Sequence, residues 1–272
     1  MDSFTSIFLG IIQGLTEFLP ISSSGHLVLF QNILGFKEPE LLLDVSLHLG
    51  TLIAVCIFFR SDLKGMIEET WRFSTNLLNG RKGPYVDKGV NLWLTLWVLV
   101  GTVPTVLIGL VFRAPLEGLF GDVKKTGFML VCTGVILALT RLLPKDYTVR
   151  KEVGLLTALA VGAAQGIAII PGISRSGATI VCGMAFGMGR ELSARFSFLL
   201  SIPAIAGAML LELASGRFGG VNFIPLILGL LSSAIVGLIA LKILMTIVRK
   251  GNLSFFAPYC WALGIFIIAS YW

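Results

Sequence analysis

Gln13-Gly14-Leu15-Thr16-Glu17-Phe18-Leu19-Pro20-Ile21-Ser22-Ser23-Ser24-Gly25-His26 returns 152 residues later as Gln165-Gly166-Ile167-Ala168-Ile169-Ile170-Pro171-Gly172-Ile173-Ser174-Arg175-Ser176-Gly177-Ala178. Gln, Gly, Ile, Ser, Ser and Gly coincide in register, as do Gly10 and Gly162 just upstream. Each copy reads as an apolar helix, a break at proline, and a Ser/Gly-rich start to a second helix. The ionisable residues are divided between the copies: Glu17 and His26 stand in the first and Arg175 in the second. Neither copy carries a complete set.

The surroundings of both copies are membrane-grade. Mean hydropathy is +0.91, 56% of the 272 residues are hydrophobic and 13% are charged, against about a quarter charged in a soluble domain. Residues 89–112, 153–174, 218–241 and 251–272 contain no charge at all. About 20 such residues cross a bilayer core, so the chain reads as an all-α polytopic membrane protein. Segments 4–18 and 23–35 are too short to span and meet at Pro20, which predicts a re-entrant hairpin. Segments 153–170 and 175–188 repeat that pattern.

Full spans are expected at 41–59, 89–112, 126–143, 196–213, 221–248 and 254–271, with an amphipathic helix near 63–78. Gly101 and Gly109 correspond to Gly229 and Gly237 at an offset of 128, the first half carrying the longer polar loop. The chain is thus expected to be a single membrane domain, 1–272, with halves of about 1–145 and 150–272. Each half is a re-entrant helical hairpin plus three transmembrane helices, six full spans in total. An odd number of crossings per half makes the arrangement an inverted repeat.

Charge sets the orientation. Loops 60–88, 141–152, 189–195 and 242–250 hold fifteen Lys and Arg, whereas the opposite side holds five: Lys37, Arg113, Lys124, Lys125 and Arg217. By the positive-inside rule both termini lie outside the cytoplasm and the first hairpin enters from the outer side. The net charge of +6 therefore reflects loop orientation and does not call for a nucleic-acid partner. Met1-Asp2-Ser3 lacks a basic flank, which argues against a cleaved signal peptide. Cys56, Cys132, Cys182 and Cys260 are scattered without metal or redox spacing and read as packing residues.

Gln13 and Glu17 are four apart and share a helix face. A carboxylate mid-membrane costs about 2.5–3.5 kcal/mol on insertion scales, so Glu17 needs a partner or a wet cavity. It is either a structural carboxylate capping the Ser22–Ser24 amides, or a metal ligand or acid/base group. Ser22, Ser23 and Ser24 open a half-helix whose free amides favour an anion. Ser22 reads as a cap, while Ser23, with His26 one turn on, is a nucleophile candidate. His48 has no such company. Arg175, flanked by Ser174, Ser176, Gly177 and Thr179 at a helix start, has the planar donors a diphosphate requires. Gly162, Gly166, Gly177, Gly183, Gly187 and Gly189 suit close helix packing.

The Gln13–His26 motif, with Pro171-Gly-Ile-Ser-Arg-Ser-Gly-Ala-Thr179, closely resembles the undecaprenyl-diphosphate phosphatase, or bacitracin resistance protein, family. The likeness extends to the Ser197–Pro203 segment and to overall length. That family pattern admits Glu or Gln at the first position of its acidic motif; here it is Gln13, leaving Glu17 as the sole carboxylate of the pair. The resemblance implies removal of the terminal phosphate from a C55 polyprenyl diphosphate, which recycles the carrier lipid of cell-wall polymers. It also implies a divalent cation, Mg²⁺ or Ca²⁺, with Glu17 and Gln13 as ligands, a bacterial plasma-membrane location, and a homodimer. Ser23 attacking phosphorus with His26 as base, His26 attacking directly, and His26 activating a water all fit the same residues. A reading from another class is a transporter or flippase for a lipid phosphate or anion, which shares the repeat and the broken helices.

Overall fold

The computed structural model describes residues 2–36, 41–79, 89–112, 115, 118–119, 122–143, 152–214, 223–251 and 253–271. Its long elements are all helices: α1 (Ser3–Phe18), α2 (Ser23–Ile33), α3 (Leu41–Phe58), α4 (Arg60–Leu78), α5 (Val90–Val111), α6 (Val123–Ala138), α7 (Leu155–Ile167), α8 (Arg175–Ala185), α9 (Arg190–Ala214), α10 (Phe223–Lys250) and α11 (Ala257–Ser270). Short 3₁₀ turns, Leu139–Leu142 and Leu253–Phe256, extend α6 at its end and α11 at its start. No strand occurs among the described residues.

Five helices are long and apolar enough to cross a membrane, and the α3–α4 pair, bent by 74°, raises the number to six. The bend falls at Phe59, where the apolar run gives way to Arg60 and a mixed-charge helix. Glu69 of α4 then caps α5: its carboxylate accepts from Asn91 Nδ2 at 2.6 Å and from the Leu92 amide at 2.9 Å. Helix starts follow ordinary capping chemistry. Asp2 accepts from the Thr5 amide at 2.8 Å and Asp122 from the Lys125 amide at 2.9 Å.

One expected boundary moves: Arg190 and Arg195, assigned to a loop by the sequence, lie in the first turns of α9. Helix α10 follows the expected span 221–248 and ends at Arg249 and Lys250. Both helix ends carry ion pairs: Arg195 pairs with Asp62, and Arg249 Nη2 lies 2.7 Å from Glu191. Lys37, Arg81, Lys82, Lys88, Arg113, Lys145, Arg150, Lys151 and Arg217 fall outside the described residues.

The core gathers on α9, where Phe196, Phe198, Leu199 and Leu200 are buried with Ala54 and Val55 of α3 and Leu241 and Leu244 of α10. Outward faces stay apolar, as at Ile235, Ile239 and Ile243, spaced one turn apart along α10 and 60%, 56% and 49% exposed. Aliphatic stripes that face outward suit lipid rather than water.

Helices from the two copies of the repeated motif each pack on a helix far along the chain. Helix α1 packs chiefly on α10, and α7, its counterpart in the second copy, packs on α5. Glycines set both approaches. A Cβ at Gly10 would lie 2.5 Å from the Gly229 carbonyl oxygen, and one at Gly162 would lie 1.9 Å from that of Gly101. Only a residue without a side chain permits such backbone contact.

Candidate active site

Both helical breaks are built alike. Pro20 ends α1, and Ser22 takes φ 68°, the one positive value on a non-glycine among the described residues. Its hydroxyl accepts from the Gly25 amide at 3.2 Å and so caps α2. In the second copy Gly172 turns the chain at φ 94°, and Ser174 caps α8 by accepting from Gly177 at 3.1 Å. Thr133 of α6 braces this turn, accepting from the Ser174 amide at 3.0 Å and donating to the Gly172 carbonyl at 2.8 Å.

The tips touch each other reciprocally. Ser22 Oγ donates to the Ile173 carbonyl at 3.5 Å, and Ser176 Oγ donates to the Leu19 carbonyl at 3.4 Å. Gly25 faces Gly172, and Gly177 faces Pro20. This interlock carries Arg175 to Glu17, where the guanidinium Nη2 pairs with Oε1. Ser23 Oγ donates to the other carboxylate oxygen, Oε2, which also accepts from Gln13 Nε2 at 3.0 Å. Glu17 is 8% exposed. Paired on both oxygens, it meets the condition for an acid held within apolar helices.

The remaining candidates divide. Ser22 and Ser24 hydroxyls lie 3.2 Å apart, as do those of Ser174 and Ser176 at 3.3 Å. Gly177 spends its amide on the cap, and Thr179 turns its hydroxyl to the Arg175 carbonyl and to Ser197. Both ring nitrogens of His26 have partners other than Ser23. Its Nδ1 lies 2.7 Å from the Ser22 carbonyl, and its Nε2 lies 2.7 Å from the Tyr259 hydroxyl of α11. His48 bonds the Asp44 carbonyl on α3, apart from this group.

Tyr259 and Thr133 were not among the residues singled out from the sequence. Each contributes one hydroxyl from a distant helix, and neither sits in a motif; for Tyr259 the only local mark is the preceding Pro258.

The oxygens here suit a hard cation. Gln13 Oε1 is buried without a hydrogen-bond partner, beside the carboxylate of Glu17 and the hydroxyl of Ser23. A carboxylate, an amide oxygen and a hydroxyl are donors that Mg²⁺ and Ca²⁺ accept, the rest of the shell coming from water and phosphate oxygens. No cluster of three or more His, Cys, Asp or Glu residues exists among the described residues.

The family model described as bacitracin resistance protein BacA matches residues 6–266. The chain is 47% identical over 271 residues to the undecaprenyl-diphosphatase of Halothermothrix orenii, covering 98% of each chain. It is 45% identical over 270 residues to the protein of that name from Desulforapulum autotrophicum, again 98% of each. The undecaprenyl-diphosphatase of Methanobrevibacter smithii is 40% identical over 272 residues, 98% of this chain and 97% of the relative.

Proposed function

This chain belongs to the bacitracin resistance protein BacA family, and we infer from that premise that it is a membrane phosphatase acting on undecaprenyl diphosphate. The products are undecaprenyl monophosphate and phosphate, so the activity returns a carrier lipid to use and supports resistance to bacitracin. The observation that carries the chemistry is the convergence of Ser23 and Arg175 on Glu17.

In this reading Arg175 transfers from Glu17 to the diphosphate, where its planar donors match phosphate oxygens and offset charge that develops in transfer. Glu17, relieved of that partner, accepts the Ser23 proton along the hydrogen bond already present. Ser23 Oγ forms a bond to the terminal phosphorus, and the bond from that phosphorus to the bridging oxygen breaks. The electron pair leaves with undecaprenyl monophosphate. Water then attacks the phosphoserine and the bond from phosphorus to Ser23 Oγ breaks; Glu17 returns its proton to Ser23 Oγ, and both protons of the water leave on the released phosphate. Ser174, Ser176, Ser22 and Ser24 hydroxyls edge the phosphate position, with Gly177 and Thr179 holding the shape of the second tip. A Mg²⁺ or Ca²⁺ ion held by Glu17 and Gln13 would supply positive charge against the diphosphate oxygens.

The location proposed is the plasma membrane, with the two halves inverted and both termini outside the cytoplasm. The fifteen-to-five division of Lys and Arg supports this orientation. The first hairpin then enters from the outer face, and phosphate leaves on that side. A homodimer is proposed on family resemblance.

The test is phosphate release from undecaprenyl diphosphate by the detergent-purified protein, with and without EDTA. Release without any transmembrane gradient supports the phosphatase. A well-folded protein that releases none leaves Arg175 and the repeat to a lipid-phosphate or anion transporter.

A further inference from the structure

His26 is one of only two histidines in the chain, and its surroundings fix what it can do. A backbone carbonyl only accepts hydrogen bonds, so the contact of Nδ1 with the Ser22 carbonyl, at 2.7 Å, places the ring proton on Nδ1. The lone pair of the neutral ring is then on Nε2. That nitrogen lies 2.7 Å from the Tyr259 hydroxyl, which donates to it. The two rings are parallel within 3°, with centroids 5.8 Å apart. His26 is 3% exposed, and this arrangement occupies both nitrogens.

The carbonyl that His26 grips belongs to Ser22, the residue with φ 68°. A serine in that region holds of order 1–3 kcal/mol of strain and persists only where its surroundings over-determine it. Ser23, the next residue, starts α2 and directs its hydroxyl to Glu17. A continuous chain therefore runs from α11 to the nucleophile candidate: Tyr259 hydroxyl, His26 ring, Ser22 carbonyl, Ser23.

We propose that Tyr259 is a positioning residue for Ser23, acting through the Nδ1-protonated ring of His26, which holds the strained Ser22 turn. The proposal rests on the phosphatase reading for its kinetic consequence but not for its structural one. It assigns His26 to the aim of Ser23 and leaves Glu17 as the group that takes the serine proton. It also joins the catalytic tip of the first half to the last helix of the second.

The first measurement is ¹⁵N NMR of histidine-labelled full-length protein carrying His48→Gln, which leaves His26 as the single signal. The expected spectrum at neutral pH is the Nδ1–H tautomer with a hydrogen-bonded Nε2. Tyr259→Phe, which removes one oxygen, is expected to release the Nε2 hydrogen bond while the thermal unfolding midpoint stays within about two degrees. The same variant is expected to lower kcat for phosphate release about ten- to a hundredfold, as misplacement of a reacting group does, with KM within twofold. An Nε2–H tautomer in the parent protein overturns the proposal. So does a Tyr259→Phe enzyme with unchanged kcat, or one whose loss lies wholly in KM. A parent protein that hydrolyses no diphosphate overturns the phosphatase reading instead, and the tautomer, read without any substrate, still decides the contact.

Discussion

Ser23 and Arg175 occupy the same position in the two copies of the repeat, each the first residue of its half-helix, and their side chains meet on opposite oxygens of the Glu17 carboxylate. The repeat thus places two different side chains on one acid. In the proposed mechanism, the hydroxyl to be activated and the cation to be passed to the substrate share it.

Glu17→Gln keeps the shape and an oxygen for the hydrogen bonds from Gln13 and Ser23, but removes the proposed base and the charge that pairs with Arg175. Phosphate release is expected to fall at least about a hundredfold, within the range for loss of a positioned general base. The Ser23→Ala, Glu17→Gln double variant is expected to be no worse than the poorer single one, because groups acting as a unit are not additive. Initial rates of the three proteins check this; losses that multiply would mean that the residues act separately.

Arg175→Ala should cost several hundredfold, in the range for one preorganised donor to a developing charge. Arg175→Lys should recover only part of that, since an ammonium keeps the charge and loses the planar fork. Equal rates for Lys and Arg would show that charge alone matters at this position.

Metal removal with EDTA is expected to abolish release, with Mg²⁺ or Ca²⁺ restoring it. Gln13→Glu sets a second carboxylate beside Glu17, and a higher ligand charge tightens binding of hard cations. The half-activating cation concentration should fall about tenfold, read from a titration of the EDTA-treated enzyme. A Gln13→Glu enzyme with unchanged cation dependence would remove Gln13 from the ligand set.

Gly162→Ala forces a Cβ to within 1.9 Å of the Gly101 carbonyl oxygen. The helices must separate, at about 1–3 kcal/mol for an overpacked contact. Gly207→Ala is the control: its Cβ meets nothing within 4 Å in the middle of α9, and it should gain up to about 1 kcal/mol from helix propensity. Unfolding midpoints in detergent should move in opposite directions.

Asp122 caps α6, and the hydrogen bond from the Lys125 amide, joined by the Lys125 side chain, holds its carboxyl below the ordinary 3.8. A depressed folded-state value means that the stabilisation is complete above about pH 4 and is lost as pH falls through the lower folded value. Asp122→Ala should cost about 1 kcal/mol at neutral pH, and the gap between the two proteins should close in acid. Unfolding midpoints at pH 7 and pH 3 check both parts.

Much of the site could be read from the chain before any coordinates. Glu17 had to be paired because an uncompensated acid is costly among apolar helices, and Arg175 had to be paired for the same reason. The repeated break told where both would sit. The contacts of His26 were not legible in this way: spacing from Ser23 suggested a shared face, but Tyr259, 233 residues away, binds its far nitrogen. One helix start was misread for a related cause. Arg195 looks like loop composition until Asp62, on another helix, is seen to neutralise it.

Packing between helices far apart along the chain has a consequence for synthesis. Glu17 leaves the ribosome 158 residues before Arg175 does, an interval of roughly ten to thirty seconds at ordinary elongation rates. Gly10 waits longer still for Gly229. Through that interval Glu17 lacks its cation partner and Gly10 lacks the backbone it packs against. A lone carboxylate in apolar surroundings is held neutral by a proton, so closure of the two motifs exchanges that proton for the Arg175 guanidinium, and a translational pause between them would prolong the protonated state.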